Sequence, residues 1–188
     1  MSPPPVKVTR EDISEAALRL VRQCGAESLN ARNLAVALGC STQPIFTQFA
    51  TMEELRSAVH ARADAYQSAY LTERTVLDHD VMASFGLAFV DFALAEPNLF
   101  RFLTSYSNVE DMAQVATSQD CNGQDVDVIR ALVATDDESA NAVFLDMWLY
   151  VSGLAAALVA NQIELDRDQV TAMVTRIGRL LTTTEPTT

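Results

Sequence analysis

Apolar residues in the first third of the chain recur at helical rather than strand spacing. Ile13, Ala16, Ala17, Leu20, Val21 and Cys24 follow at intervals of 3, 1, 3, 1 and 3, which is one face of a helix. Thr9 and Asp12 precede it as a capping pair, and Gly25 is a natural stop. A shorter pattern of Ala31, Leu34, Ala35 and Leu38 opens after Asn30 and ends at Gly39. A third opens after Ser41, the expected cap, and carries Ile45, Phe46 and Phe49, all expected to face inward. Pro44 falls in its first turn, where a missing N–H has no intrahelical partner to lose. Thr51-Met52-Glu53-Glu54 reads as a capping box that opens a fourth helix running to about Leu77. Two short helices hinged at a glycine are the sequence form of a helix-turn-helix, whose second helix lies in a DNA major groove.

The remainder is also helical. Met82, Phe85, Phe89 and Phe92, spaced 3, 4 and 3, mark a fifth helix that Glu96-Pro97 breaks, and a short helix through Phe100 and Leu103 follows. Ser105 to Gly123 is polar and partly irregular, and a further helix is expected over roughly Asp125 to Ala134. Two long helices close the chain. One, from about Glu138 to Asn161, is apolar on nearly every side (Val143, Phe144, Met147, Trp148, Val151, Leu154, Leu158), so it must be covered all round. The other, from about Asp166 to Leu181, places Val170, Met173, Val174, Ile177, Leu180 and Leu181 on one face. No segment reads as a strand. The expected fold is all-α: an N-terminal three-helix helix-turn-helix head, a long connecting helix and a larger helical body. The expected division is 1–50 for the N-terminal arm and head and 51–188 for the body. Pro3, Pro4 and Pro5 make the first residues a mobile arm.

Composition narrows the function classes. Apolar residues make up 49% of the 188 positions and charged residues 20%, enough to bury a core. The start, MSPPPVKVTRED, lacks the apolar stretch of a secretory signal, which leaves the cytoplasm as the expected location. The uncharged run from Met147 to Ile163 is slightly short for a membrane span and holds Ser152, Asn161 and Gln162, so it reads as a buried or partner-facing helix. Cys24, Cys40 and Cys121 match no zinc or redox spacing and are expected to be small buried hydrophobes. With two histidines, His60 and His79, and no Glu-x-x-His pair, no enzyme, metal site or cofactor is expected.

The net charge of −12 is unevenly spread. Residues 1–60 hold six basic and six acidic side chains, leaving seven basic and nineteen acidic in the body. No acidic residue occurs between Ser28 and Met52. The candidate DNA face is thus neutral to mildly basic, while the acidic body repels DNA and orients the encounter. Few cations are available to displace counterions, so non-specific binding is expected to be weak.

The segment from Ile13 to His60 resembles the DNA-binding domain of the tetracycline-repressor-like (TetR) regulators. The residues that carry the resemblance are Ala16-Ala17, Gly25, Leu29, Arg32, Leu34-Ala35, Leu38-Gly39, Ser41, Phe46, Phe49 and Glu54-Leu55. In the body, Pro97-x-x-Phe100-Arg101-Phe102 is similar to a motif of the family's ligand domain. Trp148 with Gly153-Leu154 is similar to its Trp-His-Gly subgroup, with Ser152 where that subgroup usually has His. The resemblance implies a homodimer, a ligand pocket in the body and release of DNA on ligand binding. Two departures stand out. Met52 occupies the place of a phosphate-contacting Lys, and Phe46 and Gln48 replace the family's usual Tyr and its frequent His or Tyr.

Site residues follow from these readings. The exposed side of the third helix is expected to present Thr42, Gln43, Thr47 and Gln48. A Gln can contact adenine bidentately and a Thr methyl can pack on thymine, which points to A·T pairs in the operator. Phosphate contacts are expected from Arg32 and from Ser41 and Thr51 at helix starts, with Lys7 and Arg10 reaching DNA from the arm. Phe85, Phe89, Phe92, Phe102, Tyr106 and Trp148 are the expected lining for an apolar small-molecule effector; the same stripe at helical spacing also suits a packed core. The last two helices are the expected homodimer face, which would set two heads about 34–36 Å apart on successive major grooves of a double-stranded operator. The expected function is a ligand-responsive regulator, a repressor freed from its operator by its effector. The alternative is a degenerate family member with weak or lost DNA binding that acts through ligand or protein contacts.

Overall fold

A computed structural model of the chain describes residues 8–76, 80–106 and 137–183. Its elements, in chain order, are α1 (Arg10–Cys24), a short 3-10 turn at Ala26–Ser28, α2 (Ala31–Leu38), α3 (Gln43–Gln48), α4 (Met52–Arg74), α5 (Val81–Ala95), α6 (Pro97–Tyr106), α7 (Asp137–Val159) and α8 (Arg167–Thr183). Among the described residues there is no strand. The helix expected over Asp125 to Ala134 lies outside them, and so do Lys7, His79 and Cys121. The chain forms two compact units, one of residues 1–66 and 98–106, the other of 67–97 and 107–188.

In the first unit, α1 begins at a reciprocal capping box. The Asp12 N–H donates to Thr9 Oγ1 at 3.1 Å, and the Thr9 N–H donates to Asp12 Oδ2 at 2.9 Å. The Thr9 hydroxyl and backbone N–H both favour the ionised Asp12 carboxyl and hold it below its ordinary range, the hydroxyl more than the backbone. Ile13, Ala16, Ala17 and Val21 are buried along one face. Cys24 is exposed and Cys40 half-buried, against the expectation that both lie in the core. α2 is capped by Asn30, whose side chain accepts the Asn33 N–H at 2.9 Å. It ends at Gly39, whose φ of +64° is the left-handed conformation that a glycine adopts freely. There the Cys40 N–H reaches the Ala35 carbonyl and the Gly39 N–H the Val36 carbonyl, which closes the helix. Leu29, Leu34, Leu55, Val59, Ala63, Leu99, Phe100 and Phe102 are further buried residues of this unit.

α3 is tied down from one side by Arg10. Its guanidinium donates to the Gln48 carbonyl at 2.5 Å, pairs with Glu54 at 2.9 Å and lies 3.9 Å from the centre of the Phe49 ring. Glu54 also accepts the Ala50 N–H at 2.7 Å, while the Glu54 N–H donates to Thr51 Oγ1 at 3.1 Å. The expected capping box is therefore present in modified form. Its carboxylate reaches one residue further back, to Ala50, where it also meets Arg10.

The second unit is built on α5, which is buried at ten of its fifteen positions. α7 packs on it through Phe144, Met147 and Val151, and α8 through Val174 and Gly178. Two glycines permit this closeness. A Cβ at Gly86 would stand 2.7 Å from Val174 Cγ1 and closer still to Met147 Cε, and one at Gly178 would stand 3.2 Å from the Ala83 backbone nitrogen. Arg167 forks onto both oxygens of Asp91, and Arg179 lies 3.7 Å from Asp80, so charge pairs link α8 to the two ends of α5. α7 is not covered all round. Ala142, Asp146, Leu149, Gly153 and Ala156 are exposed at spacings of 4, 3, 4 and 3, and Leu149 is 54% accessible. By length and composition, Ala142–Val159 is long and apolar enough to cross a membrane, and 33% of it is buried.

The Glu54 contacts carry a pH signature. The Ala50 N–H, and after it Arg10, hold the Glu54 carboxyl below its ordinary 4.5. A carboxyl depressed in the folded state contributes stability above its ordinary value and loses it as pH falls through the folded one. An NMR titration should therefore give Glu54 a midpoint below 4.5. Arg10→Ala should move it part of the way back, since Ala50 remains. An unchanged midpoint in Arg10→Ala would show that this pair does not form in solution.

Candidate nucleic-acid interface

α3 has six residues, too few to hold a helix in water without tertiary support. Two anchors supply that support. Ile45 is fully buried and Phe49 is 1% accessible, an i,i+4 pair on one side of the helix. What they turn outward follows from helix geometry, at about 100° per residue. Thr42, Gln43, Phe46 and Thr47 are all exposed and form one continuous outer ridge without a charge.

The expected residues separate clearly. Ser41, Thr42, Gln43, Thr47 and Thr51 are exposed, as is Arg32 on α2. Gln48 is half-buried, and its carbonyl is the acceptor for Arg10. Ser41 is not the cap of α3. Thr42 holds that place with helical dihedrals and no side-chain cap bond, and its carbonyl accepts the Phe46 N–H at 3.3 Å. Pro44 contributes to this: it removes the N–H three places after Ser41, one of the two that a cap there could accept. Thr47 Oγ1 donates to the Gln43 carbonyl at 2.9 Å, which occupies its proton and leaves its methyl and lone pairs for a partner. Arg10 belongs to the first turn of α1 rather than to a free arm, and its side chain is engaged by Glu54, Gln48 and Phe49. Lys7 lies outside the described residues.

Phe46 is the residue the sequence pattern misassigned. Expected in the core with its neighbours, it is 49% accessible. The available signal was geometric: with Ile45 and Phe49 one turn apart as anchors, position 46 is rotated off their face. Val36 on α2 is exposed as well, at 79%.

The residues expected to line an effector site lie in two different surroundings. Phe85, Phe89 and Phe92 are buried on α5. Phe85 meets Phe144 at 5.7 Å between ring centres, and Phe92 meets Tyr70 edge-on at 5.4 Å. Trp148 is half-buried on α7. Phe102 belongs to the first unit, where its ring stands 5.9 Å from His60. Tyr106 closes α6, and its side chain lies outside what the structure describes. A groove of about 560 Å³ runs along α8, lined by Asp168, Thr171, Ala172, Thr175, Arg176, Arg179 and Leu180 and by none of the expected aromatic residues.

Comparison with known proteins agrees with this architecture. Residues 82–180, more than half of the chain, match the model of the tetracyclin repressor-like C-terminal domain. Comparison with curated protein sequences gave no significant match. Among solved structures, a TetR-family member from Streptomyces coelicolor A3 is similar at 18% identity. The match covers 89% of this chain and 96% of that one, with a TM-score of 0.56. A TetR variant from Acinetobacter baumannii AYE in complex with minocycline is similar at 19% identity, over 94% and 95% of the two chains, with a TM-score of 0.60. At such identities these two likenesses speak for the fold. With the family match spanning α5 to α8, the chain belongs to the tetracycline-repressor-like family of transcriptional regulators.

Proposed function

We propose that the chain is a cytoplasmic, ligand-responsive repressor that binds operator DNA as a homodimer and leaves it when a small, largely apolar effector binds. It is a regulator and not an enzyme. The observation that carries this reading is the uncharged, exposed ridge of Thr42, Gln43, Phe46 and Thr47, held outward by the burial of Ile45 and Phe49. Such a ridge offers amide and methyl groups to base edges, while Arg32, Ser41 and Thr51 are exposed for phosphate contacts. Arg10 is assigned to hold α3 in place rather than to contact DNA, because both of its terminal nitrogens already have partners in Gln48 and Glu54.

The regulatory half of the proposal rests on the second unit. Most of the family match lies there, and the similar Acinetobacter protein is in complex with minocycline. Phe85, Phe89, Phe92 and Trp148 are the apolar side chains assigned to an effector, with α5 opening to admit it. Dimerisation is assigned to the outer face of α7 with α8. The exposed residues of α7 repeat about every 3.5 positions, and most are small, which suits close approach of a second helix. A copy of the same chain would cover Leu149, and Leu180 at 57% accessibility, more economically than lipid would accommodate the exposed Asp146.

A gel-shift series against DNA flanking the chain's own gene tests the proposal. Retardation that weakens steeply with salt supports it. No shift at low salt by a folded dimer favours a member that has lost DNA binding, in line with the net charge of −12 and with Met52 at the start of α4. Two substitutions sharpen the test. Replacing Gln43 and Thr47 together by Ala should reduce discrimination between operator and unrelated DNA by roughly 10- to 100-fold, the worth of one or two base contacts. Equal selectivity would remove the polar side chains of the ridge as readers. A Cβ at Gly153 would meet nothing within 4 Å, so Gly153→Arg should leave the helical circular dichroism intact. It should also shift sedimentation from dimer to monomer; a dimer of unchanged strength would place the interface elsewhere.

A further inference from the structure

We propose that Phe46 reads thymine, by laying its ring against the C5-methyl group in the major groove. This assignment rests on α3 being the DNA-contacting helix and goes beyond it by naming a specificity-determining side chain and the base it selects. On the outer ridge, at about 100° per residue, Phe46 falls between Thr42 and Gln43, with Thr47 beyond. It is therefore part of the surface that meets DNA, on the flank nearest the buried anchors. Its 49% accessibility contrasts with full burial of Ile45 before it and near-full burial of Phe49 after it. An aromatic ring kept half in water on a six-residue helix gains free energy only when a partner covers it.

The chemistry of the ridge selects that partner. No Lys or Arg stands at positions 42 to 48, so the bidentate cation contact that reads guanine is not on offer. The Thr47 hydroxyl proton is engaged by the Gln43 carbonyl at 2.9 Å. What remains is the Thr42 side chain, the Gln43 amide, the Thr47 methyl and the Phe46 ring. The only apolar group that a base pair presents in the major groove is the thymine methyl. A ring flanked by a glutamine thus fits a thymine beside an adenine, in each half of the operator.

The test begins with selection of bound sequences from a randomised duplex pool at low salt. Each thymine of the selected operator is then replaced by deoxyuridine, which removes the methyl and nothing else. At one position per half-site, uracil should weaken binding by the native chain about fourfold, the worth of one buried methyl. Phe46→Ala should bind the parent operator less tightly and no longer distinguish thymine from uracil there, whereas Phe46→Leu should keep part of the discrimination. Because Phe46 is exposed, both variants should keep the native helical content, which circular dichroism checks. Two results overturn the assignment while leaving DNA binding intact: uracil that costs the native chain nothing at every position, or Phe46→Ala that retains the full thymine preference. Failure of the folded native chain to select any sequence overturns the DNA-binding reading and this assignment with it.

Discussion

A six-residue helix has no independent existence in water, because the nucleation cost exceeds what so few hydrogen bonds return. Everything α3 can do therefore depends on Ile45 and Phe49 being buried in the head. Those two side chains fix which way the helix is rotated, and so which residues face outward. Arg10 adds a second restraint at the far end, through the Gln48 carbonyl, the Phe49 ring and Glu54. Since Glu54 also holds the Ala50 N–H, the end of α3 and the start of α4 share one carboxylate. The ridge that offers itself to bases is thus a consequence of apolar anchoring, with polar contacts that set its end.

The second unit follows a different constraint, which is how closely three apolar helices can approach. Gly86 and Gly178 lie where a side chain would strike Met147, Val174 or the backbone at Ala83. Packing of this density leaves Phe85 and Phe92 engaged with Phe144 and Tyr70. On the proposed reading, an effector that entered here would have to displace such contacts, which would link its binding to the packing of α5.

Much of this was legible in the sequence, for reasons that differ from residue to residue. Thr9 with Asp12, Asn30, Gly39 and Thr51 mark helix ends because capping is local chemistry, satisfied by neighbours three or four positions away. The stripe of Met82, Phe85, Phe89 and Phe92 was legible as a helix face, and all four are buried. Three features were not. Phe46 was assigned inward on residue type, whereas its orientation is set by its neighbours. Ser41 was taken as a cap although Pro44 removes one of the two N–H groups such a cap could accept. Arg10 was assigned to a mobile arm because its partners, Gln48 and Glu54, lie about forty positions away, beyond the reach of any local pattern. The open face of α7 was half legible, since an apolar helix announces that it must be covered but not by what.

The measurement that bears most directly on this account is amide hydrogen exchange of the full chain with and without DNA selected from a randomised duplex pool. If the anchored ridge is the reading surface, DNA should slow exchange in α2, α3 and the first turn of α4, and leave the outer face of α7 and α8 unchanged. Protection that appears in α7 or α8 while α3 stays as it was, or no protection anywhere with DNA present in excess, would contradict it.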